Sequence, residues 1–217
     1  MPAPTDSELL APPSSARPTN ALSPGEKRAL LGKLLRREAG KSLPSYPLSD
    51  NQQGIWFLCQ LAPESAIYNV SFAGRIRAAM DVPALRRALQ TLVDRHPSLR
   101  TLFAVHGGKP VQQIPDYQAA HFEAIDTSGW GEAAVQSRLV AETLRPFDLE
   151  RGPVMRATLF TRAPHDHILL LVIHHIVIDF WSLAIILNEL GAAYLAERSG
   201  QPASGSSKQW AQRGRTG

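Results

Sequence analysis

The sequence predicts an α+β fold, a mixed sheet with helices packed against it. Three observations carry this expectation. Val70, Phe72 and Ile76 fall on one side of an extended segment with Arg75 and Arg77 on the other, the alternation of a half-buried strand. Leu85, Ala88, Leu89, Leu92 and Val93 recur with the helical period. Ile168 to Ile173 is an unbroken apolar run, which implies a strand buried on both faces. The chain has 217 residues, enough for one good core, and no internal repeat.

In chain order, residues 1–22 are expected to be a disordered leader, because Pro, Ser and Thr dominate and little could be buried. Residues 23–43 should hold an amphipathic helix and a linker. Ser23, Pro24 and Glu26 give a helix start, and Leu30, Leu31, Leu34 and Leu35 form a stripe opposite Lys33, Arg36 and Arg37. This segment could pack on its own domain, link to it, or dock a partner. Ser49, with Gln52 three residues on, caps a second helix with Ile55, Trp56, Leu58 and Cys59 on its apolar side. Asp81 and Pro83 open a third helix, and Pro97 ends it. Leu99 to Val105 and Val111 to Ile114 are strands joined by a turn at Gly107-Gly108. Ser128 caps a helix reaching about Leu144. Val154 to Phe160 and His167 to Ile173 are strands, and helical periodicity returns after Ser182 through Leu190 or Tyr194. The fold should occupy residues 44–195. Residues 196–217, rich in Ser, Gly, Gln and Arg, should be a disordered tail or sequence foreign to the fold.

Composition sets bounds on function. There are 23 basic and 19 acidic residues, a net of +4. Six basic residues cluster between Lys27 and Lys41, but no basic stripe is interleaved with aromatics, which argues against nucleic acid as a partner. The single cysteine, Cys59, allows no internal disulfide and fits a reducing cytoplasm. The most apolar stretch, Ile168 to Ile178, is broken by His174 and His175 and is too short to span a bilayer, so no membrane association is expected.

The sharpest chemical feature is His174-His175-Ile176-Val177-Ile178-Asp179, placed where a buried strand gives way to a helix. Adjacent side chains on an extended segment point opposite ways, so one histidine can face the core and the other a cleft. A histidine suits base work near neutrality. At a strand end a backbone carbonyl can fix its tautomer and leave the second nitrogen facing reactants. Spacing alone leaves this open against a satisfied core or edge histidine. Two histidines and an aspartate are also the residue types of a metal facial triad, but rings that diverge suit one ion poorly and no ligand spacing supports it, so no metal is expected. Asp179 can hold the loop shape through a salt bridge.

Four blocks together resemble the condensation domains of nonribosomal peptide synthetases. The histidine segment is similar to that family's H-H-x-x-x-D-G motif. Ser49-Asp50-Asn51-Gln52-Gln53-Gly54-Ile55-Trp56-Phe57-Leu58 resembles its opening S-x-x-Q-x-x-x-W-x-L block. Arg95-His96-Pro97-Ser98-Leu99-Arg100-Thr101-Leu102-Phe103 resembles R-H-x-x-L-R-T-x-F. Phe147-Asp148-Leu149-Glu150-Arg151-Gly152-Pro153 with Arg156-Ala157 resembles P-F-D-L-x-x-G-P-x-x-R-A.

The resemblance implies a chloramphenicol acetyltransferase-like lobe, the first of two that enclose a tunnel. It implies amide formation between a donor acyl thioester and an acceptor aminoacyl thioester. Each would ride on 4′-phosphopantetheine presented by a donor or acceptor peptidyl carrier protein, or an acyl carrier protein, of the same assembly line. The domain itself would bind no cofactor. His175 is implied as the catalytic residue, and a backbone N–H near the motif could serve the developing oxyanion. His174 and Asp179 are implied as structural support, Asp179 paired with Arg95 or Arg100. Phe180, Trp181 and Ser182 are candidates for the tunnel wall. The family has glycine where this chain has Phe180, which would reshape the tunnel. Phe-Trp-Ser occurs in relatives from hybrid polyketide–peptide assembly lines, a hint about the donor.

The resemblance stops near Leu195 and the second lobe is missing, so the chain is expected to be truncated or frameshifted, inactive alone and poorly soluble. Two other readings stand beside this one. One is a related H-x-x-x-D acyltransferase using free coenzyme A thioesters; the other is a non-catalytic carrier-docking remnant.

Overall fold

The computed structural model describes residues 43–200. The leader, the amphipathic helix at 23–42 and residues 201–217 lie outside the described residues. The elements are β1 (Ser45–Pro47), α1 (Asp50–Leu61), β2 (Asn69–Ile76), α2 (Val82–Arg95), a 3-10 turn (Pro97–Arg100), β3 (Leu102–His106), β4 (Lys109–Gln113), β5 (His121–Asp126), α3 (Glu132–Leu144), β6 (Met155–Ala163), β7 (Asp166–His174) and α4 (Phe180–Ser199). This is the expected α+β lobe, and its main sheet is mixed.

That sheet has the order β2-β7-β6-β5, with β5 and β6 parallel and the other neighbours antiparallel. Strand β7, near its centre, explains the unbroken apolar run. Leu169, Leu171 and Ile173 face a core shared with Leu85, Leu89 and Leu92 of α2 and with Leu183, Ile186 and Leu190 of α4. Leu170 and Val172 face the other way, in a cluster with Phe160, Ile125 and Leu139 of α3. The period-2 rule thus sends alternate residues into two separate cores. Each fully buried leucine or isoleucine contributes roughly 1.5–3 kcal/mol, so β7 gains from burial on both of its faces.

The helix starts follow from local chemistry. Ser49 and Gln52 form a reciprocal capping box on α1. Asp81 accepts the Ala84 amide at 2.8 Å and Pro83 sits in the first turn of α2. His96, pushed to an extended conformation before Pro97, ends α2. The turn between β3 and β4 is a two-residue loop whose glycines have φ of +58° and +77°, a backbone that glycine adopts without strain.

Several boundaries differ from the sequence expectation. Residues 97–100 form a 3-10 turn, so β3 starts at Leu102 and not Leu99. The expected linker contains β1, which pairs with β4 (Ser45↔Gln113), a non-local contact too short to announce itself by periodicity. Strand β5 is an element the periodicity does not predict. Its two large apolar residues, Phe122 and Ile125, belong to different cores, so no one-sided alternation exists to be seen. Ser128 does not cap α3. Its amide donates to Asp126 instead, and Gly131 stands at the cap position. Helix α4 begins two residues before Ser182 and runs past Leu195 to Ser199, where Gly200 adopts a left-handed conformation. An Arg87–Glu197 ion pair of 2.6 Å joins this last turn to α2.

Candidate functional site

The site lies at the C-terminal end of β7. The His174 amide donates to the Val154 carbonyl at 2.9 Å, and the His175 amide to the Tyr68 carbonyl at 2.8 Å. The two histidines therefore stay extended between neighbouring segments, and their rings diverge.

His174 continues the Leu170 and Val172 side and is only 3% exposed. Its ring lies between Tyr68 and Phe147, with centroid separations of 6.1 and 5.8 Å. Its Nδ1 accepts the Ile176 amide at 3.2 Å, which leaves Nε2–H to donate toward Cys59 Sγ at 3.6 Å. Burial, and then the proximity of His175 and of the Arg156 guanidinium, lowers its pKa from 6.5 to about 4. The ring is therefore neutral near pH 7, and it holds up the loop that follows.

His175 is exposed. Its Nδ1–H donates to the Ile178 carbonyl at 2.7 Å, three residues on in the same turn. A carbonyl can only accept, so the proton is on Nδ1 and the lone pair on Nε2. The ring thus presents a hydrogen-bond acceptor to the open face.

Among the described residues Asp179 has no arginine partner. It is the N-cap of α4, its Oδ1 accepting the Ser182 amide at 2.7 Å. These Ser182 hydrogen bonds hold its carboxyl below the usual aspartate range. Arg95 and Arg100 have other partners. Arg95 meets Glu189 of α4 at 2.9 Å, alongside His96 at 3.0 Å, tying α2 to α4. Arg100 donates to the carbonyls of Val93, Asp94 and Pro115, closing the free end of α2. The geometric reason is that Asp179 is drawn to the unpaired amides at the start of α4, the strongest local donors.

The remaining block also acquires a physical reading. Asp148 accepts the amides of Glu150 and Arg151. Gly152 has a φ of +68°, and a Cβ there would lie 2.7 Å from Gln118 and 2.9 Å from Leu102. Arg156, 6% exposed, donates to the carbonyls of Glu142, Arg145 and Pro146 at the end of α3.

Phe180 and Trp181 are each 84% exposed on the first turn of α4. Ser182 is half-buried and lines a small cleft of about 140 Å³ with His96, Leu99, Val177, Ile178 and Ile185. A larger cavity of about 500 Å³ lies between the end of α1 and residues 146–150, with Cys59, Phe147, Glu64, Asp148, Glu150 and His174 in its wall. It reaches His174 and not His175. Sequence reasoning misses Tyr68 and Ile178, whose roles are carried by backbone carbonyls that no residue type signals. It reads Gln52 as a cap and as the glutamine of the opening block, whereas the Gln52 amide also donates to the Ile176 carbonyl at 3.2 Å.

Among the described residues no helix is long and apolar enough to cross a membrane. A family model described as "Condensation domain" matches residues 43–215, a range that passes Leu195. A linear gramicidin synthase of Brevibacillus parabrevis is 43% identical over 158 residues, 71% of this chain and 2% of the relative. The starter condensation domain of rhizomide synthetase RzmA superposes with a TM-score of 0.70 and 26% identity, covering 75% of this chain and 40% of that one. The first condensation domain of the calcium-dependent antibiotic synthetase gives 0.69 and 27%, covering 76% and 40%. The chain thus spans less than half the length of the solved domains it matches.

Proposed function

This chain belongs to the condensation-domain family, and we propose that it is the N-terminal lobe of a domain that forms an amide between two carrier-bound thioesters. The observation that carries this reading is the His175 ring, whose Nδ1–H is held on Ile178 O at 2.7 Å while Nε2 faces the open side. In the proposed reaction the acceptor's amine nitrogen attacks the donor's thioester carbonyl carbon. Nε2 of His175 accepts the amine proton as the C–N bond forms. The C–S bond then breaks, the acyl chain passes to the nitrogen, and the proton returns to the departing thiolate. The carbonyl at Nδ1 keeps the lone pair on Nε2 and favours the positive charge that develops on the ring. His174 and Asp179 touch neither reactant in this scheme: one supports the turn from below, the other starts α4.

The substrates are read as 4′-phosphopantetheine thioesters on peptidyl or acyl carrier proteins of one synthetase, acting in the cytoplasm. Phe180 and Trp181 are suited to wall the donor side, since two large rings 84% exposed beside a reactive histidine need an apolar neighbour. A cleft needs a second wall, so the assay belongs in the domain with its remaining portion present. With loaded carriers, His175→Ala should lower amide formation by about 10²–10⁴-fold. Unchanged product formation would favour a non-catalytic docking role. Transfer from a free acyl-coenzyme A without any carrier would favour the acyltransferase reading.

A further inference from the structure

We propose that Gln52 is a positioning residue for His175, tethering the histidine turn to the start of α1. The inference rests on the reading of His175 as the reacting base, but the geometry stands by itself. Residues 175–178 form a turn whose last carbonyl, Ile178 O, sets the tautomer of His175. Three of the four amides of that turn have partners: His175 N meets Tyr68 O, Ile176 N meets His174 Nδ1, and Val177 N meets His174 O. The carbonyl of Ile176 points elsewhere, and Gln52 Nε2 donates to it at 3.2 Å across 124 residues of sequence.

The same side-chain amide is pinned from its other end. Gln52 Oε1 accepts the Ser49 amide at 3.0 Å, while the Gln52 backbone amide donates to Ser49 Oγ at 3.3 Å. Ser49 N–H requires an oxygen and Ile176 C=O requires an N–H, so the amide has one orientation that satisfies both. This explains the residue type. A capping box accepts Glu or Gln equally at this position, and the positive end of the helix favours the carboxylate. Only a contact to a carbonyl demands the amide. Glutamate would complete the cap and turn an oxygen against Ile176 O. The choice of Gln therefore serves the turn and not the helix, and through the turn it holds Ile178 O on the His175 ring.

The experiment separates the two roles on this chain without turnover. Long-range proton–nitrogen correlation on the histidine-labelled protein at alkaline pH, with His175 assigned by its absence in His175→Ala, reports which ring nitrogen carries the proton. The unsubstituted chain should show one protonated nitrogen, Nδ1. Gln52→Glu keeps the cap oxygen and loses the donor, so the His175 nitrogen shifts should converge as the tautomers mix. Ser49→Ala removes the cap oxygen and keeps the donor, so the melting temperature should fall with the His175 shifts unmoved. Gln52→Met, isosteric and uncharged, gives the same readout as Gln52→Glu if the carboxylate impairs folding. His175 shifts unchanged in the Gln52 variants, or moved equally by Ser49→Ala, would overturn the proposal. Failure of His175 in amide formation would instead overturn its catalytic role and leave this result standing.

Discussion

The guanidinium of Arg156 stacks on the ring of Phe147, its central carbon 3.7 Å from the ring centroid. The same Phe147 ring meets His174 edge to face. One aromatic residue thus joins a buried cation at the end of α3 to the histidine that supports the turn at residues 175–178. This geometry accounts for the wide spacing between Phe147 and Arg156 in the sequence: residues 148–154 loop out and return, bringing the guanidinium back over the ring.

Arg156 should be a large contributor to stability. It closes the carbonyls of Glu142, Arg145 and Pro146, and its burial lowers its pKa to about 10. Removing it leaves those carbonyls without their donor and the nearby Glu142 with less positive charge. Arg156→Ala should cost about 2–4 kcal/mol, read as a lower urea midpoint at unchanged slope. Arg156→Lys should recover only part, because a point charge cannot serve three carbonyls and stack on a ring at once.

Asp179 should behave as a helix cap. Asp179→Ala is expected to lower the urea midpoint, and Asp179→Asn to lower it much less, since asparagine also accepts the Ser182 amide. The useful measurement is a double-mutant cycle with Arg100→Ala and another with Arg95→Ala. Coupling within experimental error in both is the expected result. Coupling clearly outside experimental error in either would mean that the carboxylate pairs with that arginine in solution.

Much of this lobe is legible in the sequence because its strongest signals are local. The α1 capping box, the Asp81 and Pro97 limits of α2 and the glycine pair between β3 and β4 each depend on residues within a few positions of one another. The run Ile168 to Ile173 marks a strand buried on both faces, and its parity implies that His174 and His175 part company. What is not legible is carried by long-range contacts of backbone atoms. β1 exists only because β4 lies beside it, and β5 only because β6 does. The partners of the two histidines include the carbonyls of Val154, Tyr68 and Ile178, the amide of Ile176 and the thiol of Cys59. An arginine is the expected partner of Asp179 because ion pairs are what charges suggest in a sequence. The actual competitor is a set of free amides within three residues, which a sequence shows only once the helix start is correctly placed at Phe180.

Acid should weaken the lobe through His174, and the direction follows from its burial. Its pKa is about 4 in the folded chain against 6.5 when unfolded. Between those values the unfolded chain binds the proton and the folded chain does not. Stability is therefore full above pH 6.5, falls as the pH drops toward 4, and levels off below. The gap corresponds to roughly 3 kcal/mol at most. His121, also lowered by burial, contributes in the same direction, so the comparison must be internal. Urea unfolding from pH 7 to 4.5 should show a shallower pH dependence in His174→Gln than in the unsubstituted chain, because glutamine keeps a hydrogen-bonding side chain that never titrates. Identical slopes in the two proteins would mean that the His174 ring takes up its proton without leaving the folded state, and that Tyr68, Phe147 and Cys59 enclose it less tightly than a 3% exposed side chain requires.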